Sequence, residues 1–242
     1  MAGGDRARWD ARYRDRGPEH GADPSPILVA LDDLLPRRGC ALDVAGGAGR
    51  NACWLARRGL DVTIADVSPA GLERARAAAA AAGVTLWLVE TDLETDPLPG
   101  GPYGLIVSID FLCRALFAAF PAALAPGGLL VYSQATRTNL ERHPHPGARF
   151  LLDGGELRSL VGGLEVLSYA ERWFGDREHS FDHRLCHRAH RGPRVRKQRG
   201  GRNTRAEADE HPAPSFEETL DQRHEPPPFC RSLPPESSSR RS

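Results

Sequence analysis

From Cys40 to about Gln134 the chain repeats one pattern: a short apolar run, then a helix-length stretch with an apolar stripe or an alanine-rich body. The runs "CALDVA", "DVTIAD", "TLWLVE", "YGLIVSI" and "LLVYSQ" are mostly apolar rather than alternating, which predicts strands buried on both faces. Between them, "RNACWLARRG" predicts a helix closed by Gly59. Ser68-Pro69 opens another through "ERARAAAAAA", stopped at Gly83, and a third is expected near Leu112 to Leu124. Upstream, Ser25 and Pro26 read as an N-cap and first helical residue, predicting a helix through "ILVALDDLL" to Pro36. Strand–helix alternation at this spacing requires right-handed crossovers and so predicts a doubly wound α/β fold around a mostly parallel sheet.

After Gln134 the rhythm changes. A polar loop, "RHPHPGAR", leads to a short helix within "FLLDGGELRSLVGG" and two strand-like runs, "LEVLSYAERW" and "SFDHRLCHRA", which would finish the sheet as a hairpin. From Arg191 periodicity is lost, and three consecutive prolines and "ESSSRRS" follow. Such a segment cannot bury enough apolar surface to fold alone, so residues 191–242 are expected to be a disordered basic, proline-rich tail. The expected organisation is thus an N-terminal lid or helix segment (1–38), the body of the same domain (39–190) and the tail.

Net charge is zero over 242 residues, so the whole-molecule field points to no anionic partner. The balance is uneven: the tail from Arg191 holds 11 basic and 8 acidic residues, leaving a mildly acidic body. Nine basic residues without an acid lie between Arg184 and Arg205, but the run lacks the interleaved aromatics of a single-strand binder, and nucleic acid is not an expected partner. Five scattered cysteines with no C-x-x-C pair fit a reducing cytoplasm. The sequence shows no signal-like apolar segment and no run of membrane-spanning length, so neither secretion nor a membrane is expected.

Candidate chemistry centres on "LDVAGGAGRN", Leu42 to Asn51. A glycine loop between a strand and a helix offers bare backbone and the positive end of a helix dipole. Gly47, Gly49, Ala52 and the later Asp66 satisfy the dinucleotide pattern. Asp43 argues against a pyrophosphate: a carboxylate facing the loop repels phosphate and attracts the cationic ammonium of a methionine moiety. The "APGG" turn before the fifth strand and the hairpin after it point the same way.

With these residues the chain resembles the class I S-adenosylmethionine-dependent methyltransferases over roughly residues 5 to 190. "LDVAGGAGRN" is similar to that family's first motif, with Ala45 where a first glycine is commoner. "VTIADVSP" resembles the second and "VETDLE" the third, while Gly104 stands where the fourth strand usually begins with an aspartate. "WDARYR" and "GRNACWLARRG" are most similar to the small bacterial tellurite-resistance and thiopurine type. The resemblance implies a Rossmann-like, seven-stranded sheet with an antiparallel C-terminal strand, and S-adenosyl-L-methionine as cofactor. The cofactor-binding set it implies is Asp43, Ala45, Gly46, Gly47, Gly49, Asp66, Val67, Asp92, Leu93 and Ser108, with Asp43 at the methionine end, Asp66 at the ribose, and Asp92 with Leu93 at the adenine.

The implied function is methyl transfer to a small-molecule acceptor, whether thiol, metalloid, oxygen or nitrogen. Soft nucleophiles need little acid–base help, whereas oxygen and nitrogen acceptors can require a base. "SIDFLCR" stands where nucleic-acid N-methylating members carry Asp-Pro-Pro-Tyr or Asn-Pro-Pro-Tyr, which disfavours adenine-type methylation. Asp110 and Arg114, just past the fourth strand, are acceptor-side catalytic candidates, with a solvated helix start as the plain alternative. Trp9 and Tyr13 read either as an aromatic lid or as packing, and His143, His145, Arg137 and Arg142 as a wall of the acceptor pocket. His179, His183, His187 and His190 with Cys186 lack zinc-like spacing, so no metal is expected. Two other functions share these features: an NAD(P)-dependent oxidoreductase, opposed by Lys197 being the only lysine, and an inactive cofactor-binding partner protein.

Overall fold

The computed structural model describes residues 2–15, 23–173 and 180–187. The tail 191–242 lies outside them, as do the side chains of His179, His183, Cys186, His187 and His190. Five strands form the body of the sheet: β1 (Cys40–Val44), β2 (Asp61–Asp66), β3 (Leu86–Glu90), β4 (Tyr103–Ile109) and β5 (Leu124–Ala135). All four pairings in the order β3-β2-β1-β4-β5 are parallel. The fold is Rossmann-like. Helices α1 (Ala2–Asp15), α2 (Pro26–Ala30), α3 (Arg50–Arg57), α4 (Pro69–Ala82), α5 (Phe120–Ala123) and α6 (Glu156–Leu160) surround the sheet, and strands β6 (Glu165–Trp173) and β7 (Ser180–His187) follow in sequence.

The absence of a polar alternate in the strands has its cause in two cores. On one face Ala41, Ile64, Leu105, Val107 and Val131 pack with Leu28, Leu55, Leu72 and Ala75 from α2, α3 and α4. On the other, Leu42, Val44, Ile106, Leu130 and Tyr132 pack with Phe117, Phe120 and Leu157. Successive residues of β1 and β4 thus go to opposite cores, and neither face is left for a polar alternate. Among the described residues no helix is long and apolar enough to cross a membrane.

Two predicted helices are shorter than their pattern. The one from Pro26 ends at Ala30 and continues only as a 3-10 turn, Asp32–Leu34. Carboxylates at a helix C-terminus oppose its dipole, and here Asp32 is drawn instead to Arg58 and Arg37. The helix expected over Leu112 to Leu124 divides into a 3-10 segment, Arg114–Ala118, and α5. Pro121 restarts the helix, because within a continuous one it lacks the N–H and clashes with the preceding turn. By contrast α4 keeps both predicted ends: Ser68 Oγ accepts from the Gly71 N–H, and Gly83 closes the helix at φ 66°.

Candidate functional site

The chain runs outward from β1 through β2 to β3, then returns to β4 on the other side of β1. That reversal opens a crevice at the carboxyl ends of β1 and β4, where open α/β sheets bind ligands. A cavity of about 680 Å³ lies there. Strand ends supply Asp43, Asp66, Asp92, Asp110 and Gln134 to its lining, α1 supplies Arg8, Trp9, Arg12 and Tyr13, and the loop after β5 supplies His145 and Phe150.

The glycine loop is shaped around Asp43. That carboxylate is buried, and its Oδ2 has no hydrogen-bond partner among the described residues. Burial pushes its pKa up to about 7 against the pull of the Arg50 guanidinium, and the Asp66 carboxylate adds to the rise. Gly46 lies directly over it: a Cβ there would come within 2.8 Å of the Asp43 carboxyl. Ala45, at φ 54°, holds a left-handed conformation that costs a residue with a Cβ about 1–2 kcal/mol. Gly49, at φ 79°, lets α3 start close to α4, since a Cβ would sit 2.9 Å from that of Ala75.

Asp66 closes the loop from β2. Its Oδ2 accepts from the Gly47 N–H at 2.8 Å and its Oδ1 from the Ser68 N–H at 2.8 Å, while burial raises its pKa. Asp92, Leu93 and Val67 also line the cavity, as Ala45 and Gly46 do. Gly47 and Gly49 belong to the loop but not to the cavity lining, and Ser108 is buried within β4 rather than placed on the cavity wall.

The N-terminal helix packs on the glycine loop, and its Trp9 and Tyr13 both line the cavity. Asp10 accepts from the Ser68 hydroxyl at 2.5 Å and the Ala70 N–H at 3.2 Å, fastening α1 to the start of α4. Tyr13 then lies on the loop, with its hydroxyl against Gly47 and its ring against Gly71, leaving no room for a Cβ on either glycine. Trp9, one turn earlier, faces the same cavity.

The acceptor-side candidates separate. Asp110 sits in the cavity wall with a left-handed backbone, φ 61°, and its exposed surface opens into the cavity. Arg50 stands 3.6 Å away, and burial nonetheless pushes the Asp110 pKa up to about 6. Arg114 points elsewhere: it holds Glu156 with two hydrogen bonds, 2.5 and 2.9 Å, and reaches the Leu151 carbonyl at 3.2 Å, pinning the 3-10 segment to α6. His145 lines the cavity, whereas Arg137 pairs with Asp153, Arg142 stacks over Trp173 at 4.0 Å, and His143 lies beside that same ring. Among the described residues no three His, Cys, Asp or Glu side chains are grouped to hold a metal ion. Arg50, Gln134 and Phe150 are site residues that the sequence pattern did not single out. Arg50 follows the glycine loop directly and could have been read from that position. Gln134 and Phe150 carry no local signal.

Residues 41–128 match the family described as a methyltransferase domain. The chain is 40% identical over 84 residues to an uncharacterized protein of Mycobacterium tuberculosis, a match covering 34% of this chain and spanning only 30% of that relative. Among solved structures it is similar to one reported for conversion of a disulfide bond into a thioacetal group during echinomycin biosynthesis, with 22% identity, a TM-score of 0.62 and coverage of 78% of this chain and 94% of that one. TehB from Haemophilus influenzae follows at 18% identity, TM-score 0.55 and 76% and 66% coverage. A TehB-like SAM-dependent methyltransferase from Corynebacterium glutamicum stands at 21%, 0.52, 76% and 96%. Residues 41–128 therefore match a methyltransferase domain, and the chain has the fold of these S-adenosylmethionine-dependent enzymes. Within that class the fold is shared with TehB-like members.

Proposed function

We propose that this protein transfers a methyl group from S-adenosyl-L-methionine to a small-molecule acceptor. The observation that carries the reading is the unpartnered, buried Oδ2 of Asp43 under the bare backbone of Gly46. A buried carboxylate oxygen without a donor is costly, and an incoming ammonium group would relieve it. A pyrophosphate at the same place would meet the Asp43 charge.

In this reading Asp43 holds the amino group of the methionine end, and Ala45, Gly46, Gly47 and Gly49 keep the loop open for it. Asp66 and Val67 bind the ribose, Asp92 and Leu93 border the adenine, and Ser108 supports the set from within β4. The cofactor supplies an electrophilic methyl on sulfur. What this chain adds is alignment and the exclusion of water beneath Trp9 and Tyr13, and alignment alone can supply ~7–11 kcal/mol of rate acceleration. Asp110 faces the acceptor. Residues 1–38 act as a lid on the same domain, supported by the seat of Tyr13 on the loop. A sheet of seven strands with an antiparallel finish is the matching architecture, supported by the register of Leu129 to Ala135 against His187 to Phe181. A cytoplasmic location is consistent with the free thiols of Cys53 and Cys113.

The test is calorimetric titration of the full chain with S-adenosylmethionine, S-adenosylhomocysteine and NADH in parallel. Micromolar binding of the first two with NADH silent is expected. Binding of NADH alone would overturn the reading of Asp43.

A further inference from the structure

Gln134 closes β5 at the cavity wall, is only 3% exposed, and has an orientation its neighbours dictate. Its side-chain nitrogen donates to the Phe150 carbonyl, which can only accept, so the amide cannot be turned the other way. The amide oxygen is thereby left buried beside the cavity with no hydrogen-bond partner among the described residues. Buried acceptors left unmatched by the protein are uncommon, and one lining a cavity points to a ligand that donates.

Asp110 stands beside it at the end of β4. The strands are in register there, Ile109 opposite Ser133, and the Asp110 N–H donates to the Ser133 carbonyl at 2.9 Å. Asp110 reaches that place only by holding φ at 61°, a conformation that costs a residue with a side chain free energy and that clusters at functional sites. Two adjacent strand ends therefore bring an amide oxygen and a carboxylate to one wall. Arg50 stands 3.6 Å from Asp110, Arg8 lies over the Phe150 ring at 5.4 Å, Arg12 lines the same cavity, and the aromatic rings of Trp9, Phe111 and Phe150 line the space around.

We propose that the methyl acceptor is a small amine, whose two N–H groups are taken by Gln134 Oε1 and the Asp110 carboxylate. The inference rests on the methyltransferase reading and names the acceptor class of that site. Gln134 Oε1 has no donor among the described residues, and the Asp110 carboxylate, already paired with Arg50, has two oxygens and so can accept a further donor. A primary amine, once its ammonium form has lost a proton to solvent, has two N–H groups and keeps its lone pair for the methyl carbon. As the N–C bond forms the S–C bond breaks, S-adenosylhomocysteine leaves as the neutral thioether, and the N-methylammonium product gives a proton to solvent. A hydroxyl has one donor and a thiolate none. A thiolate or metalloid oxyanion would also meet the Asp110 charge, and Arg50 offsets that charge only in part. Asp110 and Gln134 are here residues that position the acceptor nitrogen.

The experiment uses the full chain, free and saturated with S-adenosylhomocysteine, titrated with benzylamine, benzyl alcohol and phenylmethanethiol. The three probes share one ring and differ only in the N, O or S group. Benzylamine is expected to bind at least about tenfold more tightly than the other two, the effect of one charge-assisted hydrogen bond. Gln134→Met and Asp110→Asn are each expected to weaken benzylamine about tenfold while S-adenosylhomocysteine affinity stays unchanged. The unchanged nucleoside affinity reports an intact fold. Equal affinities for the three probes, or an unchanged benzylamine affinity in both variants, would overturn the inference. If the wild-type protein fails to bind S-adenosylhomocysteine, the cofactor reading falls instead, and the amine inference is then decided on the free protein by whether Gln134→Met and Asp110→Asn weaken benzylamine.

Discussion

At the residue scale, Asp43 couples the site to pH. Its pKa in the folded protein is raised to about 7, above the unfolded value of 3.8, so between those limits the folded state binds more protons than the unfolded one. The neutral carboxyl therefore favours folding below about pH 4, and this contribution is lost as pH rises through about 7. Cofactor binding runs the other way, because an ammonium group needs the ionised carboxylate. Affinity for S-adenosylhomocysteine is expected to drop about tenfold per pH unit below about 7 and to level off above it, with Asp43→Asn binding weakly and without that slope. Calorimetric titration across pH 5 to 9 checks both, within the range where carboxylates so shifted titrate. Ala45 carries a different cost. Replacing it with glycine removes the left-handed strain at φ 54° and is expected to stabilise the domain by about 1 kcal/mol, read as a rise of ~2–4 °C in Tm.

At the element scale, the seat of α1 depends on one carboxylate. Asp10 is pushed up by burial, yet the Ser68 hydroxyl, the Ala70 N–H and the charges of Arg14 and Arg6 bring it below the usual carboxylate range. It ties α1 to the Ser68 hydroxyl and the Ala70 N–H at the start of α4, a position where a cap is worth about 1 kcal/mol. Asp10→Ala is expected to lower Tm by a few degrees and to speed amide exchange across residues 2–15, leaving α3 protected. If α1 exchanges at its original rate, something other than Asp10 holds it. Asp66 has a comparable double role. The sequence assigns it to the ribose, but its carboxylate also satisfies the N–H groups of Gly47 and Ser68. Asp66→Ala is therefore expected to cost stability as well as affinity, about 1–3 kcal/mol for the two buried donors left unmatched, measured by denaturant unfolding.

For the whole molecule, the five-stranded parallel sheet and its two cores make one cooperative unit around the crevice, so a ligand bound there stabilises the described domain together. S-adenosylhomocysteine at about a hundred times its Kd is expected to add about 2.7 kcal/mol to unfolding, visible as a single shifted transition in scanning calorimetry. NADH at the same concentration is expected to leave the transition in place.

The strand sequence, the ends of α4, the glycine loop and the acids Asp43, Asp66 and Asp92 were all legible along the chain. Each depends on neighbours within a few residues: an apolar run, a serine before a proline, a glycine where φ is positive. The break of the helix at Pro121 was written in the same local terms. What only the tertiary structure decided is which residues from distant segments meet. Nothing near Gln134 says that its nitrogen is held by Phe150, and nothing near Arg114 says that Glu156 draws it from the cavity. Nor does the sequence around Tyr13 say that its hydroxyl lies on Gly47. Those pairings join segments 16 to 42 residues apart, and they follow from how the strands order in the sheet rather than from any local preference.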